Sequence, residues 1–260
     1  MRFKLTLKVE KEFFGNKIPI NYQYEQSAAI YKVLSRANEQ FSNWLHNNGF
    51  KVQQKTFKLF TFSRFMIPKY RIEKDTERLV IESDLIDWYI SFLPEKSTEE
   101  FIKGIFMSQN FEIGDCLSTV RFSIQNVDVL PSPVYQPVME FKTISPMVLS
   151  TKNDELKIKY LSPIDERSKG NILLGLMRKY EAFYGKPYSG SLDYDFTVLD
   201  EPKSVLVKIK ANSPSETRIK GYMCRVRVKL PEELMKIMYE VGIGEKNSLG
   251  SGMLARIKKI

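Results

Sequence analysis

The chain has 260 residues, 43% hydrophobic, 12% aromatic and 27% charged, which excludes a disordered tail and leaves one large domain or two small ones. No apolar run nears the roughly 20 residues that span a bilayer, and two distant cysteines, Cys116 and Cys224, argue against a zinc site or disulfide framework and for a cytoplasmic protein. The net charge of +9 is uneven: 18 Lys and Arg face 16 Asp and Glu over residues 1–130 (+2), and 22 face 15 over 131–260 (+7).

Along the chain, Met1-Arg2-Phe3-Lys4-Leu5-Thr6-Leu7-Lys8 alternates charged with apolar residues, the pattern of a strand and not of a signal peptide. After a turn around Gly15 to Pro19, a helix is predicted over 27–45, with Ile30, Val33, Leu34, Ala37, Phe41, Trp44 and Leu45 on one buried stripe. Strands are expected at 57–66 and 78–83, a helix over Leu85–Leu93, and another over 98–107 opened by Ser97-Thr98-Glu99-Glu100 after Pro94. Strands near 111–114 and 119–129 close the half. The order strand, helix, two strands, helix, strand describes a ferredoxin-like (split βαβ) unit.

Pro131, Pro133 and Pro137 mark a connector. The second half repeats the plan: a strand at 138–142, a helix over 164–183 with Ile172, Leu173, Leu176 and Tyr180 inward, strands at 192–199, 203–211 and 218–229, a helix over 231–241 and a last strand at 253–260. The expected class is α+β: two tandem ferredoxin-like (RRM-like) domains over 1–130 and 131–260, each an antiparallel sheet with helices on one face.

Val241-Gly242-Ile243-Gly244-Glu245-Lys246-Asn247-Ser248-Leu249-Gly250-Ser251-Gly252-Met253 joins the last helix to the last strand. Asn247 stands where a dinucleotide-binding loop needs its third glycine, and no glycine precedes Lys-Ser/Thr as a P-loop requires. What remains is backbone able to take positive φ and present N–H groups to a phosphate, with Lys246, Asn247 and Ser248 as added donors. An ordinary turn would have the same composition.

His46 is the single histidine. It follows the buried stripe and precedes the turn-forming Asn47-Asn48-Gly49, so it is placed where helix meets solvent; an imidazole ordinarily titrates near ~6.5 and exchanges protons around neutrality. Tyr31 follows Ile30, about 100° round the helix, with its hydroxyl at the rim of the core. Lys58 opens an alternating strand, facing either a ligand or solvent.

The Gly-rich segment resembles the C-terminal signature of the repeat-associated Cas protein superfamily, and its Gly-x-Gly-Glu with a following Gly-x-Gly is similar to that of the repeat-RNA processing endonucleases, the Cas six family. The opening strand, Tyr31, Leu45-His46-Asn47-Asn48-Gly49-Phe50 and Lys58-Leu59-Phe60-Thr61-Phe62-Ser63 follow the family's order, so the resemblance covers most of residues 1–65 and 241–260. It implies an endoribonuclease that cuts precursor CRISPR RNA, with Tyr31, His46 and Lys58 as catalytic Tyr, His and Lys. The 2′-hydroxyl would attack the adjacent phosphate without metal or cofactor, leaving 2′,3′-cyclic phosphate and 5′-hydroxyl ends. Residues 51–57 lengthen the His46-to-Lys58 spacing beyond the family's, which keeps Lys51 and Lys55 as rivals for the cationic role. The implied partner is CRISPR repeat RNA, with a CRISPR effector complex and a second copy of the chain as open additions, and no membrane. A non-catalytic RNA-binding subunit of an effector complex is the alternative; it would share the loop without needing His46.

Residues 203–229 hold eight basic residues and one acidic, Glu216. Arg225, Arg227 and Lys229 share one strand face opposite Val226 and Val228, and Lys208 and Lys210 repeat the pattern. A cationic strip suits an RNA backbone. Lys220-Gly221-Tyr222 opens like an RRM motif that Met223 and Cys224 break. The expected RNA contacts are Lys51, Lys55, Lys208, Lys210, Lys220, Arg225, Arg227 and, in the loop, Gly242, Gly244, Lys246, Asn247, Ser248, Gly250 and Gly252.

Overall fold

The structure is a computed structural model that describes all residues except 153, 154, 156, 212 and 258–260. The end of the strand expected at 253–260 lies outside the described residues. The first half holds β1 (Arg2–Val9), α1 (Lys11–Phe14), β2 (Lys17–Pro19), α2 (Gln23–Ala37), α3 (Glu39–Asn47), β3 (Phe50–Val52), β4 (Lys55–Phe57), β5 (Phe60–Phe62), β6 (Tyr70–Glu73), β7 (Arg78–Ile81), β8 (Leu85–Phe92), α4 (Glu95–Met107), β9 (Asn110–Gly114) and β10 (Thr119–Leu130). The second holds β11 (Val138–Thr143), β12 (Ser150–Lys152), β13 (Ile158–Tyr160), α5 (Glu166–Tyr184), β14 (Asp195–Val198), β15 (Lys203–Ile209), β16 (Thr217–Met223), β17 (Arg225–Lys229), α6 (Glu232–Val241), a 3₁₀ turn at Asn247–Leu249 and β18 (Leu254–Arg256).

The first main sheet runs β5-β8-β1-β10-β9 and the second β14-β17-β11-β18, every paired neighbour antiparallel. Taking β1, α2, β5, β8, α4 and β10 in turn, the first sheet places its second, third, first and fourth strands side by side. The second sheet repeats that order with β11, α5, β14, β17, α6 and β18. Both are therefore ferredoxin-like. The first core is rich in aromatic rings, among them Phe3, Phe60, Phe92, Phe101 and Trp88. The second gathers Phe141, Val226 and Val228 of the sheet with Ile172, Leu176 and Leu234 of the helices. No helix among the described residues is long and apolar enough to cross a membrane.

The expected helix over Leu85–Leu93 is strand β8, which supplies the third strand of the first unit; the 78–83 run instead pairs with β2 and β6 in a side sheet. Ile86, Trp88, Ile90 and Phe92 alternate into the core, while Leu85, Asp87 and Tyr89 lie on the other face and Ser91 is buried there by its hydrogen bond to Glu240 of α6. Leu85 and Tyr89 add large apolar side chains to the outer face, and a run this short and apolar is not told from a helix by periodicity alone. The helix expected over 27–45 breaks at Asn38, whose side chain accepts from Phe41 N and caps α3; the reorientation leaves Trp44 37% exposed instead of buried. The strand expected over 218–229 is also two. Residues up to Met223 pair with β15, residues from Arg225 pair with β11 and β14, and Thr143 holds the crossover at Cys224 through paired hydrogen bonds.

The two units are latched together. The buried Arg2 guanidinium donates to the carbonyls of Leu254 and Tyr239 and lies 3.7 Å from the Tyr239 ring centroid. Leu59, between β4 and β5, keeps its carbonyl on Leu93 N of the first unit but buries its side chain in the second core. Its φ of +54° is a conformation that non-glycine residues hold only where packing imposes it.

Candidate active site

Tyr31 comes from the middle of α2, His46 from the last turn of α3, and Lys58 from the segment before β5. The Tyr31 and His46 rings meet edge to face, centroids 4.9 Å apart at 83°, and Tyr31 also packs on Phe60 at 5.7 Å. The imidazole is exposed, with Nδ1 3.0 Å from the Asn47 Oδ1. The Lys58 Nζ donates to the His46 carbonyl at 2.7 Å, placing a cation on the end of α3, where the helix dipole favours it. Residues 50–57 form the β3–β4 hairpin and return the chain to the helix end. The structure thus brings Tyr31, His46 and Lys58 together from three elements.

Two neighbours shape the Lys58 position. Leu59 anchors it from the second core, and Gly49, at φ +57°, leaves no room for a side chain: a Cβ there would stand 2.6 Å from the Phe57 carbonyl oxygen and 3.0 Å from the Lys58 Cδ. Burial, and then the Lys51 charge, push the Lys58 ammonium below its usual pKa. Burial pushes the Tyr31 phenol up, so it stays a neutral O–H donor around neutrality. Lys51 and Lys55 are exposed on the hairpin; Lys55 lines a cavity of about 620 Å³ between the units that Lys58 also lines.

The Gly-rich segment folds back on itself beside this group. Ile243 N donates to the Gly252 carbonyl at 2.9 Å. The Asn247 side chain is buried and spends its amide on the carbonyls of Ile243 and Ser251, so the donor expected for a ligand serves the loop instead. Gly242, Gly250 and Gly252 are likewise buried; Gly244 and Ser248 are half-buried, and Lys246 is exposed. Ser27, one helical turn before Tyr31, donates to the Ser248 carbonyl at 2.7 Å, and Thr61 to the Ser251 carbonyl at 3.0 Å. The loop is therefore tied to the helix that carries Tyr31.

Behind the loop, the buried Lys179 of α5 donates to the carbonyls of Gly242 at 2.7 Å and Gly244 at 2.9 Å, while Ser150 Oγ holds Glu245 at 2.7 Å. Sequence reasoning missed this clamp, although a lysine within the Ile172, Leu176, Tyr180 stripe was its signal. Burial pulls the Lys179 ammonium down to about 7. The unfolded chain then binds one proton more than the folded one from about pH 7 up to the ordinary lysine range, and folded stability rises with pH across that window. The thermal midpoint of the wild type should accordingly gain on that of Lys179→Met between pH 7 and about 10; parallel pH profiles would remove the buried ammonium.

The basic strip divides between two sheets. Lys208 lies on the β15–β16 hairpin and forms an ion pair with Glu77 of the first unit at 2.7 Å. Lys210 follows β15 at φ +51°, and Lys220 reaches over the Tyr222 ring at 5.5 Å. Arg225 and Arg227 do share a face, on β17, but Asp200 and Glu140 partner them. These carboxylates are distant in sequence, and local charge counting leaves them out.

With this geometry in hand, comparison with known proteins finds two family matches: residues 17–128 with the CRISPR-associated protein Cas6 N-terminal family and residues 130–255 with the Cas6 C-terminal family. A Methanocaldococcus jannaschii protein named CRISPR-associated endoribonuclease Cas6 1 is 31% identical, covering 99% of this chain and 93% of its own. A solved structure described as a Cas6-related gene of Pyrococcus furiosus superposes with a TM-score of 0.82 at 27% identity, covering 100% of this chain and 99% of its own. A second, described as an RAMP protein binding different RNA substrates, gives 0.80 at 25% identity, covering 99% and 100%.

Proposed function

Because the chain belongs to the Cas6 family of CRISPR-associated proteins, we propose that it binds CRISPR repeat RNA and cuts precursor CRISPR RNA by attack of the 2′-hydroxyl on the adjacent phosphate. The observation that carries this reading is the edge-to-face contact of the Tyr31 and His46 rings beside a Lys58 ammonium held on the His46 backbone carbonyl. His46 acts as the proton-transfer group, at the 2′-hydroxyl or the 5′ leaving oxygen. Tyr31, a neutral donor packed against the imidazole, orients it and hydrogen-bonds a phosphate oxygen. Lys58, already on the His46 carbonyl, stabilises the charge that builds on phosphorus and is preferred over Lys51 and Lys55 for that reason. The unit over residues 1–130 supplies this chemistry, and the unit over 131–260 supplies the Gly-rich loop that borders it. The exposed Lys246 adds positive charge at that border.

The test is cleavage of a transcript containing the repeat encoded beside the gene, in excess chelator. The expected product carries a 2′,3′-cyclic phosphate upstream of the cut and a 5′-hydroxyl downstream. A chelator-sensitive reaction leaving a 5′-phosphate would rule out this chemistry, and binding without any cleavage would favour the effector-complex subunit.

A further inference from the structure

The cavity between the units, which Lys58 alone of the three proposed catalytic residues lines, is also lined by Lys55, Lys152, Arg178, Lys179 and Lys246. At about 620 Å³ it falls in the size range of built ligand sites. One wall is the segment from Lys55 to Lys58. The other is α5, which lines it with Asn171, Leu174, Gly175 and Arg178. These are positions i, i+3, i+4 and i+7, a single helix face about 10 Å long. The opposite face, through Ile172 and Leu176, packs in the second core.

Three features of this face have no use inside the folded chain. Arg178 is half-buried, and its guanidinium meets no carboxylate or carbonyl among the described residues. Gly175 stands mid-helix, where glycine weakens the helix relative to alanine, yet no atom lies within 4 Å of where its Cβ would be. Its smallness is not required by any neighbour in the protein. Leu174 beside it is 46% exposed. Bare backbone next to a free guanidinium and an exposed apolar side chain provides for a sugar–phosphate strand, a phosphate and a base.

Resting on the endoribonuclease reading above, we infer that this face of α5 is a track for the single-stranded RNA next to the scissile phosphate. The strand crosses Gly175 at backbone distance, sets one phosphate on Arg178 and lays a base against Leu174. Lys152 and Lys246, which line the same cavity without a carboxylate partner among the described residues, border the track and raise the local anion affinity.

The test uses the full chain and two probes: the repeat RNA with a single 2′-deoxyribose at the cut, for binding, and the all-ribose RNA, for cleavage. Gly175→Leu starts from a Cβ with open space around it and projects into the cavity; it should keep the thermal midpoint or raise it, while weakening binding of the deoxy RNA about tenfold. Arg178→Gln should weaken binding similarly and lower the slope of log affinity against log salt by about 0.7, one single-strand phosphate contact. Wild-type affinity and salt slope in both variants, with the wild type cutting normally, would refute the track and leave the nuclease reading standing. A wild type that neither binds nor cuts the RNA would overturn the nuclease reading and the track with it.

Discussion

Replacing His46 by alanine should slow cleavage of the repeat RNA by about 10²–10⁴-fold, the usual contribution of a positioned proton-transfer group. The loss should fall on the chemical step. The imidazole is exposed, edge-on to the Tyr31 ring and 3.0 Å from the Asn47 Oδ1, so its removal leaves both cores intact and should change stability by about 0.5 kcal/mol or less. The bond from Lys58 goes to the His46 backbone carbonyl, which alanine also provides, so the cation stays in place. Single-turnover cleavage measured beside binding of the deoxy RNA separates the effects: the rate should collapse while affinity stays within about threefold. A variant that cuts at the wild-type rate would remove the imidazole from the mechanism, and one that loses binding would make it a contact residue.

The second large effect is expected at Gly252. At φ +73° a Cβ would stand 1.9 Å from the Ile243 carbonyl oxygen and 2.9 Å from the Asn247 Nδ2. Neither neighbour can retreat, because the Ile243 carbonyl already accepts from Asn247 and its N–H donates to the Gly252 carbonyl. Strained backbone together with the broken ring of hydrogen bonds should cost Gly252→Ala about 3 kcal/mol. For a chain of this size that lowers the thermal midpoint by about 6–12 °C. Gly170→Ala is the matched control: it lies in α5 with no atom within 4 Å of its would-be Cβ, and the same change there should stabilise by about 0.4–1 kcal/mol. Calorimetry of the two variants tests whether loop closure, and not glycine content, sets the requirement.

The sequence carried the two ferredoxin-like plans because most of their elements keep one period and one buried face. β8 resembles a helix in sequence because Leu85 and Tyr89 on its outer face blur a short alternation, and the first helix is predicted through Asn38 because a cap in mid-pattern resembles any other polar position. Of the proposed site, His46 stands out as the single histidine ahead of a turn, and Tyr31 and Lys58 through their place in the family's order. Their distances could not be read there, since the β3–β4 hairpin that folds Lys58 back to α3 makes its contacts in space. The charge strip fared worst: Glu77, Glu140 and Asp200 neutralise Lys208, Arg227 and Arg225 from elsewhere in the chain. A tally within residues 203–229 counts only Glu216 against the eight basic residues.

Leu59 gives the docking of the two halves a second role. The residue after the proposed catalytic cation is plugged into the opposite core, so prising the halves apart would draw Lys58 away from the His46 carbonyl while each sheet remained folded. The enzyme should then fail on heating before it melts, its working ceiling set by a hinge coming undone and not by the collapse of either lobe.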